Sequence, residues 1–350
     1  MNVSLLIGTR KGLFVASSSD RSRWTIAGPH FKGWEVTAGG RAPGGTYVAA
    51  TTSFVYGPAI HTSADLKSWK QLESGPAFHP ESGRSLKQIW FVRPLESVWY
   101  AGVSEAALFE SRDEGNSWHP LNGLNEHPTR SSWQPGAGGL CAHSLLIDPK
   151  DSQRIWCGIS AVGVFRTEDG GSTWTPCNHG VTCVVPDKEH SDIGYCVHSL
   201  AADPGDANHI YRQDHKGMYR SRDGADTWER IEEGLPSGFG FPLALDRRTG
   251  YVYAFPLESD EYRMPPAGSA RVYRSTDRGE SWQSLADGLP QSNAYMTVLR
   301  SSMVADSLDE CGVYFGTTSG QVFYTRDAGR AWQRLPADFP RIHFLEVFAD

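Results

Sequence analysis

One pattern, Ser/Thr-x-Asp-x-x-x-Ser/Thr-Trp, returns along the whole 350-residue chain and decides what the chain can fold into. Full copies run from Ser111 to Trp118, Thr167 to Trp174, Ser221 to Trp228 and Ser275 to Trp282. A fifth, Thr325 to Trp332, has Ala331 in the hydroxyl position, and two shorter copies run from Ser18 to Trp24 and Ser63 to Trp69. The aspartates stand at 20, 65, 113, 169, 223, 277 and 327, so each interval lies between 45 and 56 residues. A period near fifty specifies a repeat architecture and one closed unit, residues 1–350, in place of two or three ordinary domains.

The residue types explain themselves as a turn. An aspartate accepts backbone N–H bonds, glycine supplies positive φ, and hydroxyls add weaker local bonds. Tryptophan then buries a large apolar face against its neighbours. Seven of the 12 tryptophans sit in these boxes, which assigns them to packing and not to ligands.

Each repeat reads as two β-rich runs around a glycine turn, the box, and a strand that starts at the tryptophan. In the fourth these are Arg154 to Gly158, Val164 to Arg166 and Trp174 onward, preceded by an apolar run from His143 to Pro149. Four strands per unit without helical periodicity predict an all-β, seven-bladed β-propeller of four-stranded blades. The chain begins on a second-strand pattern, Val3 to Thr9, and ends on an unpartnered one, Arg341 to Phe348. The ring is therefore expected to close by the C-terminal strand joining the N-terminal blade, which removes two sheet edges.

Composition narrows the function. Net charge is −7 with no basic run, so no nucleic-acid footprint is present, and an anionic ligand would need a local basic pocket. Val3 to Ile7 is too short for a secretory leader and nothing approaches a membrane span, which gives a cytoplasmic, non-membrane expectation. The six cysteines show no CxxC spacing and read as reduced, buried thiols, with Cys183–Cys196 as the alternative disulfide. Oligomeric state is not legible.

Long insertions fall at Asn122–Leu140, Asn178–Tyr195 and Pro256–Ala270, and blade topology puts all three on the face opposite the boxes. Scaffold-held loops are where binding residues gather. Counting back from the Asp-Pro strand ends sets His143 level with His198, with Gln88 and Phe241 in the same place in neighbouring blades. His215 follows in the run Gln213-Asp214-His215. His143, His198, His215 and Gln213 are candidate ligands for Zn, Mn, Fe or Ni, with metal-free catalysis and a structural role as the competing readings. Glu258 or Glu261 would transfer a proton, Arg263 and Arg300 would hold a carboxylate, and Trp133, Gln134 and Gln88 would contact a small-molecule or glycan ligand.

The boxes, together with Asn125-Glu126-His127-Pro128-Thr129-Arg130, Trp133 to Gly139, the two His-Ser-Leu runs, Phe239-Gly240-Phe241-Pro242 and Gly316 to Val322, resemble the Asp-box (BNR-repeat) propellers of the sialidase superfamily. Within it the chain is most similar to bacterial proteins described as glycosyl-hydrolase-like or exo-alpha-sialidase-like. That resemblance implies carbohydrate hydrolysis. Sialidases, however, carry an early Phe/Tyr-Arg-Ile-Pro segment where this chain has Gly40-Arg41-Ala42-Pro43, and a lyase on the pattern of the metal-dependent, seven-bladed oligogalacturonate lyases is the analogous chemistry. A non-catalytic glycan- or protein-binding propeller is the alternative.

Overall fold

The computed structural model describes residues 2–184 and 192–349. It is all-β, with five four-stranded antiparallel sheets and one eight-stranded sheet. The first four-stranded sheet comprises Glu35–Arg41, Tyr47–Ser53, Gly57–Ser63 and Lys70–Gln71, and the others repeat that plan. In the fourth repeat the strands are Cys141–Asp148, Asp151–Ser160, Gly163–Thr167 and Thr175–Pro176.

The eight-stranded sheet is two such groups joined edge to edge. Ile342–Ala349 pairs antiparallel with Val3–Thr9 from Val3↔Ala349 to Thr9↔Ile342, whereas it meets Val298–Ala305 through the single parallel pair Ser301↔Phe344. The C-terminal strand thus completes the N-terminal group. First strands of successive groups touch in turn, and Ile342–Ala349 also touches Glu35–Arg41. Together they line a central channel of about 250 Å³.

No four-strand group has a core of its own. The apolar side chains gather in seams shared by two groups, such as Val48, Ile60, Trp99 and Phe109 between the second and third, or Val3, Leu5, Tyr314 and Tyr324 between the last and the first. Both faces of each sheet are therefore buried by neighbours, as a repeat fold requires.

The boxes hold this arrangement at the outer strands. Asp277 Oδ1 accepts from Ser275 Oγ (2.8 Å) and Ser281 N (3.0 Å), Oδ2 accepts from Ser281 Oγ (2.5 Å), and Ser275 Oγ accepts from Gly279 N (2.7 Å). Asp113, Asp169 and Asp223 repeat the pattern, while Asp327 lacks the second hydroxyl. Two of the box tryptophans reach into the preceding repeat, Trp282 Nε1 donating to Ile231 O (2.8 Å) and Trp228 Nε1 to Cys177 O (3.0 Å), while Trp118 and Trp174 donate to Gly115 O and Gly171 O of their own boxes (3.1 Å each). Glycines at 180, 234 and 288 make that approach possible. At Gly234, φ is +92° and an added Cβ would stand 2.7 Å from Trp282 O.

Every first strand also breaks its register once near its beginning. The shifts skip Thr37, Trp90, His143, His198, Phe241 with Pro242, the stretch from Leu299 to Ser302, and His343. Such a bulge leaves a residue out of the ladder and re-aims its side chain.

Two outcomes follow for stability. Gly234→Ala is expected to lower unfolding free energy by about 1–3 kcal/mol, from strained φ and a blocked Trp282 contact, read by urea denaturation; an unchanged midpoint would refute that packing role. Hydrogen bonds from the box hydroxyls and amides hold Asp113 and Asp169 at about 2, against an ordinary 3.8. Because the folded value is the lower one, this stabilisation is complete above the ordinary value and lost as pH falls toward about 2. The melting-temperature gap between wild type and Asp169→Asn should therefore close on acidification across that window.

Candidate functional site

The skipped residues are the ones that reach inward. Trp90, His198, Phe241, Arg300 and His343 all line one cavity of about 470 Å³, whose outer wall comes from residues 132–138, 160–162 and 193–194. No box residue contributes to it among the described residues. Residues 185–191, within the second insertion, lie outside the described residues, and with them Asp187, Glu189 and His190.

His198 is held from behind. Its Nδ1–H donates to Gly240 O (2.6 Å), which fixes the tautomer and turns Nε2 toward the Cys196 thiol, with Sγ 3.7 Å away. Cys196 and His198 are two apart on an extended segment, so they share a face. His215 comes across from the next turn: its backbone N donates to Cys196 O (3.0 Å), and its ring lies 5.6 Å from that of His198. His215 Nε2 pairs with Asp260 Oδ2 at 2.8 Å. Burial, and then the Arg300 charge, hold His198 well below the usual histidine range, so it is neutral at neutral pH.

Two expected ligands are not in this group. His143 has both nitrogens engaged, with Nε2 donating to Val197 O (2.9 Å) and Nδ1 accepting from Ser144 Oγ (2.9 Å). It lines the channel below the cavity, and its bond ties one first strand to the next, as Thr37 Oγ1 does to Ile89 O (2.8 Å). Gln213 turns its amide onto Asp214 O, Gly217 O and Gly238 O. With the buried Arg212–Asp214 pair (2.6 Å), it builds the turn that presents His215.

Gln88 lines the cavity, but the residue structurally level with His143 is Trp90. The first hairpin of that sheet closes at Pro94↔Trp99, four residues past Trp90, whereas the next closes at Asp148↔Asp151 and its proline stands six residues past His143, so counting from the proline lands two residues off. Gln134 lies exposed on the outer wall. Trp133 also borders the cavity, but it is buried against Phe165 and under Arg130, with Nε1 donating to Thr129 Oγ1 (2.9 Å); it closes a seam and offers no open ring face. Glu258 and Glu261 are exposed and do not line the cavity.

The arginines do. Arg263 and Arg300 both lie over the Phe241 ring, at 5.5 and 5.7 Å, and Arg300 also lies over Trp90. Arg341 borders the same space. None of the cavity-lining described residues is an aspartate or glutamate. Arg300 Nε, Trp90 Nε1 and His343 Nε2 are buried without a protein hydrogen-bond partner. Asp260, Trp90, Arg341 and His343 were not singled out from sequence, and Cys196 was singled out there only as a disulfide candidate. Only Cys196 left a signal there, its two-residue spacing from His198.

No family model matches the chain. An oligoxyloglucan-reducing end-specific xyloglucanase of Emericella nidulans is 23% identical over 209 residues, covering 57% of this chain and 24% of that protein. The chain spans about a quarter of the length of the curated relatives of this kind that it matches. Among solved structures, YCF48 from Cyanidioschyzon merolae superposes with a TM-score of 0.56 at 15% identity, over 91% of this chain and 87% of that one. An ancestral GH74 enzyme gives 0.55 at 17%, over 82% and 36%. At these identities the likeness is one of fold: a propeller-like assembly that glycosyl hydrolases also use.

All six cysteines are buried and none is in a disulfide, so the Cys183–Cys196 bridge is not formed. Burial pushes the Cys196 and Cys177 thiols up to about 11. The native protein at neutral pH should therefore react only slowly with an aromatic disulfide reagent, releasing six equivalents on unfolding. A fast native equivalent would contradict this packing.

Proposed function

We propose that this chain is an enzyme acting on a small, carboxylate-bearing carbohydrate, bound in the arginine-lined cavity of a seven-bladed propeller. In this reading the eight-stranded sheet counts as two blades, which meet at the one parallel pair. The supporting observation is the charge pattern: Arg263, Arg300 and Arg341 border a cavity with no acidic lining residue among those described, and Arg300 keeps an unused buried Nε. Guanidinium groups recognise carboxylates by paired, charge-assisted bonds. Trp90 Nε1 and His343 Nε2 remain as partners for sugar hydroxyls.

Xyloglucanase relatives support carbohydrate as the substrate class, and a hydrolase belongs with that kinship. The cavity itself fits elimination better. Paired-carboxylate glycoside hydrolysis needs two acids flanking the bond. Removing a proton next to a carboxylate needs instead a cation on that carboxylate, which Arg300 supplies, and a nearby reacting group, which the Cys196, His198 and His215 cluster supplies. Six cysteines without a disulfide suit a reducing compartment, and we place the protein in the cytoplasm. A second, binding-only reading draws on the exposed turn of Phe54, Val55 and Tyr56, an apolar surface for a glycan or protein partner.

Calorimetric titration with uronate oligomers and neutral oligosaccharides separates these. The uronates should bind preferentially, and Arg300→Met should weaken them by about 10–100-fold, the worth of a charged hydrogen bond. Equal affinity for neutral sugars, or an Arg300→Met protein that binds like wild type, would remove the proposal. Unsaturated-product absorbance against new reducing ends then distinguishes lyase from hydrolase.

A further inference from the structure

We infer that Cys196, His198 and His215 form a site for a borderline-soft divalent transition metal, zinc above all, with a fourth coordination position open to the cavity. The inference deepens the reading above and rests on it only for what fills that fourth position; the metal site itself stands on the donors.

Those donors converge. A sulfur and one ring nitrogen from each imidazole lie within 4.8 Å of one another, and all three residues line the cavity. They come from two segments locked together by the His215 N to Cys196 O bond, so the approach is built into the backbone. Small side-chain adjustments bring such a set to the separations that zinc–sulfur and zinc–nitrogen bonds need.

Behind each imidazole stands the partner that a metal-ligating histidine uses. His198 Nδ1 is tied to a backbone carbonyl at 2.6 Å, and His215 Nε2 to the Asp260 carboxylate at 2.8 Å. Each contact orients its ring and fixes the tautomer, and the remaining nitrogen of His198, Nε2, faces Cys196 Sγ at 3.7 Å within the cluster. His143 instead spends its nitrogens on a backbone carbonyl and a serine hydroxyl, and belongs to no such donor cluster among the described residues. The contrast between these imidazoles, from matching register breaks, distinguishes a ligand from a structural residue.

Chemistry of the donors narrows the ion. A thiolate with two imidazoles suits zinc, and copper next, while magnesium, calcium and manganese prefer oxygen. Three protein ligands leave one position for water or a substrate oxygen. The thiolate also offsets part of the charge that the ion and the nearby Arg300 would otherwise share. A carboxylate ligand could then bridge the ion and Arg300.

Full-length protein, purified under reducing conditions without added metal or chelator, tests this by elemental analysis and then by Co²⁺ titration of the metal-free form. Expected are one equivalent of zinc and, with Co²⁺, a thiolate-to-cobalt charge-transfer absorption. Cys196→Ser should abolish that absorption, and Asp260→Asn should weaken metal affinity by about 10–100-fold. His215→Ala, at a partly exposed position, serves if Cys196→Ser fails to fold, and should lose most of the affinity. Absence of both zinc and the cobalt absorption, or an absorption that survives Cys196→Ser or His215→Ala, overturns the site. Arg300→Met should lose uronate binding but keep its metal, so failure of the metal site and failure of the ligand reading give different results.

Discussion

A four-stranded sheet with apolar side chains on both faces cannot stand alone in water, and that constraint governs this molecule. Every seam of the core is shared by two four-strand groups, so each group is stable only between its neighbours. The contacts that set the spacing are specific. A box aspartate folds the turn, Trp228 and Trp282 reach back to carbonyls of the preceding repeat, and a glycine at each meeting point lets the backbones approach. The terminal strand obeys the same rule by pairing with Val3–Thr9, since either edge would otherwise be left open.

Much of this was legible in the sequence because it is periodic. Box spacing, turn residues and the unpartnered ends all repeat or fail to repeat in plain view, and the strands of the fourth repeat lie within a few residues of where the pattern sets them. The site was legible in part. Arg263, Arg300, His198 and His215 do border one cavity, since loop insertions and strand starts identify one end of the assembly. What failed was resolution at the level of single residues. The proline stands four residues after Trp90 but six after His143, which displaced the alignment from Trp90 to Gln88, and nothing in the sequence separates a histidine whose nitrogens go to a carbonyl and a hydroxyl, His143, from one that turns a nitrogen to a thiol, His198. Asp260 reaches His215 from 45 residues away, a distance in sequence that no local pattern spans.

Electrostatics explain why the cavity can be selective in a chain of net charge −7. The acidic residues are spent at the turns and in ion pairs around the rim, such as Arg166 with Asp226 and Arg220 with Glu280. Cations facing the cavity have rings beside them instead of carboxylates. An aromatic face attracts a guanidinium without neutralising it, so Arg263 and Arg300 are held in place while their charge stays available. The same charge helps to keep the buried imidazoles neutral, which is the state in which they can accept a proton or a ligand.

The register break in each first strand has a consequence for how such a scaffold diversifies. The skipped residue belongs to no ladder, so its identity is uncoupled from the hydrogen bonding that builds the sheet. Threonine, tryptophan, histidine, phenylalanine and arginine already occupy such positions in this one chain. The assembly therefore behaves as a set of interchangeable sockets facing a shared channel, one or a few residues from each repeat. Selection, or a designer, can rewrite the chemistry at its centre while the frame that carries it keeps its own rules.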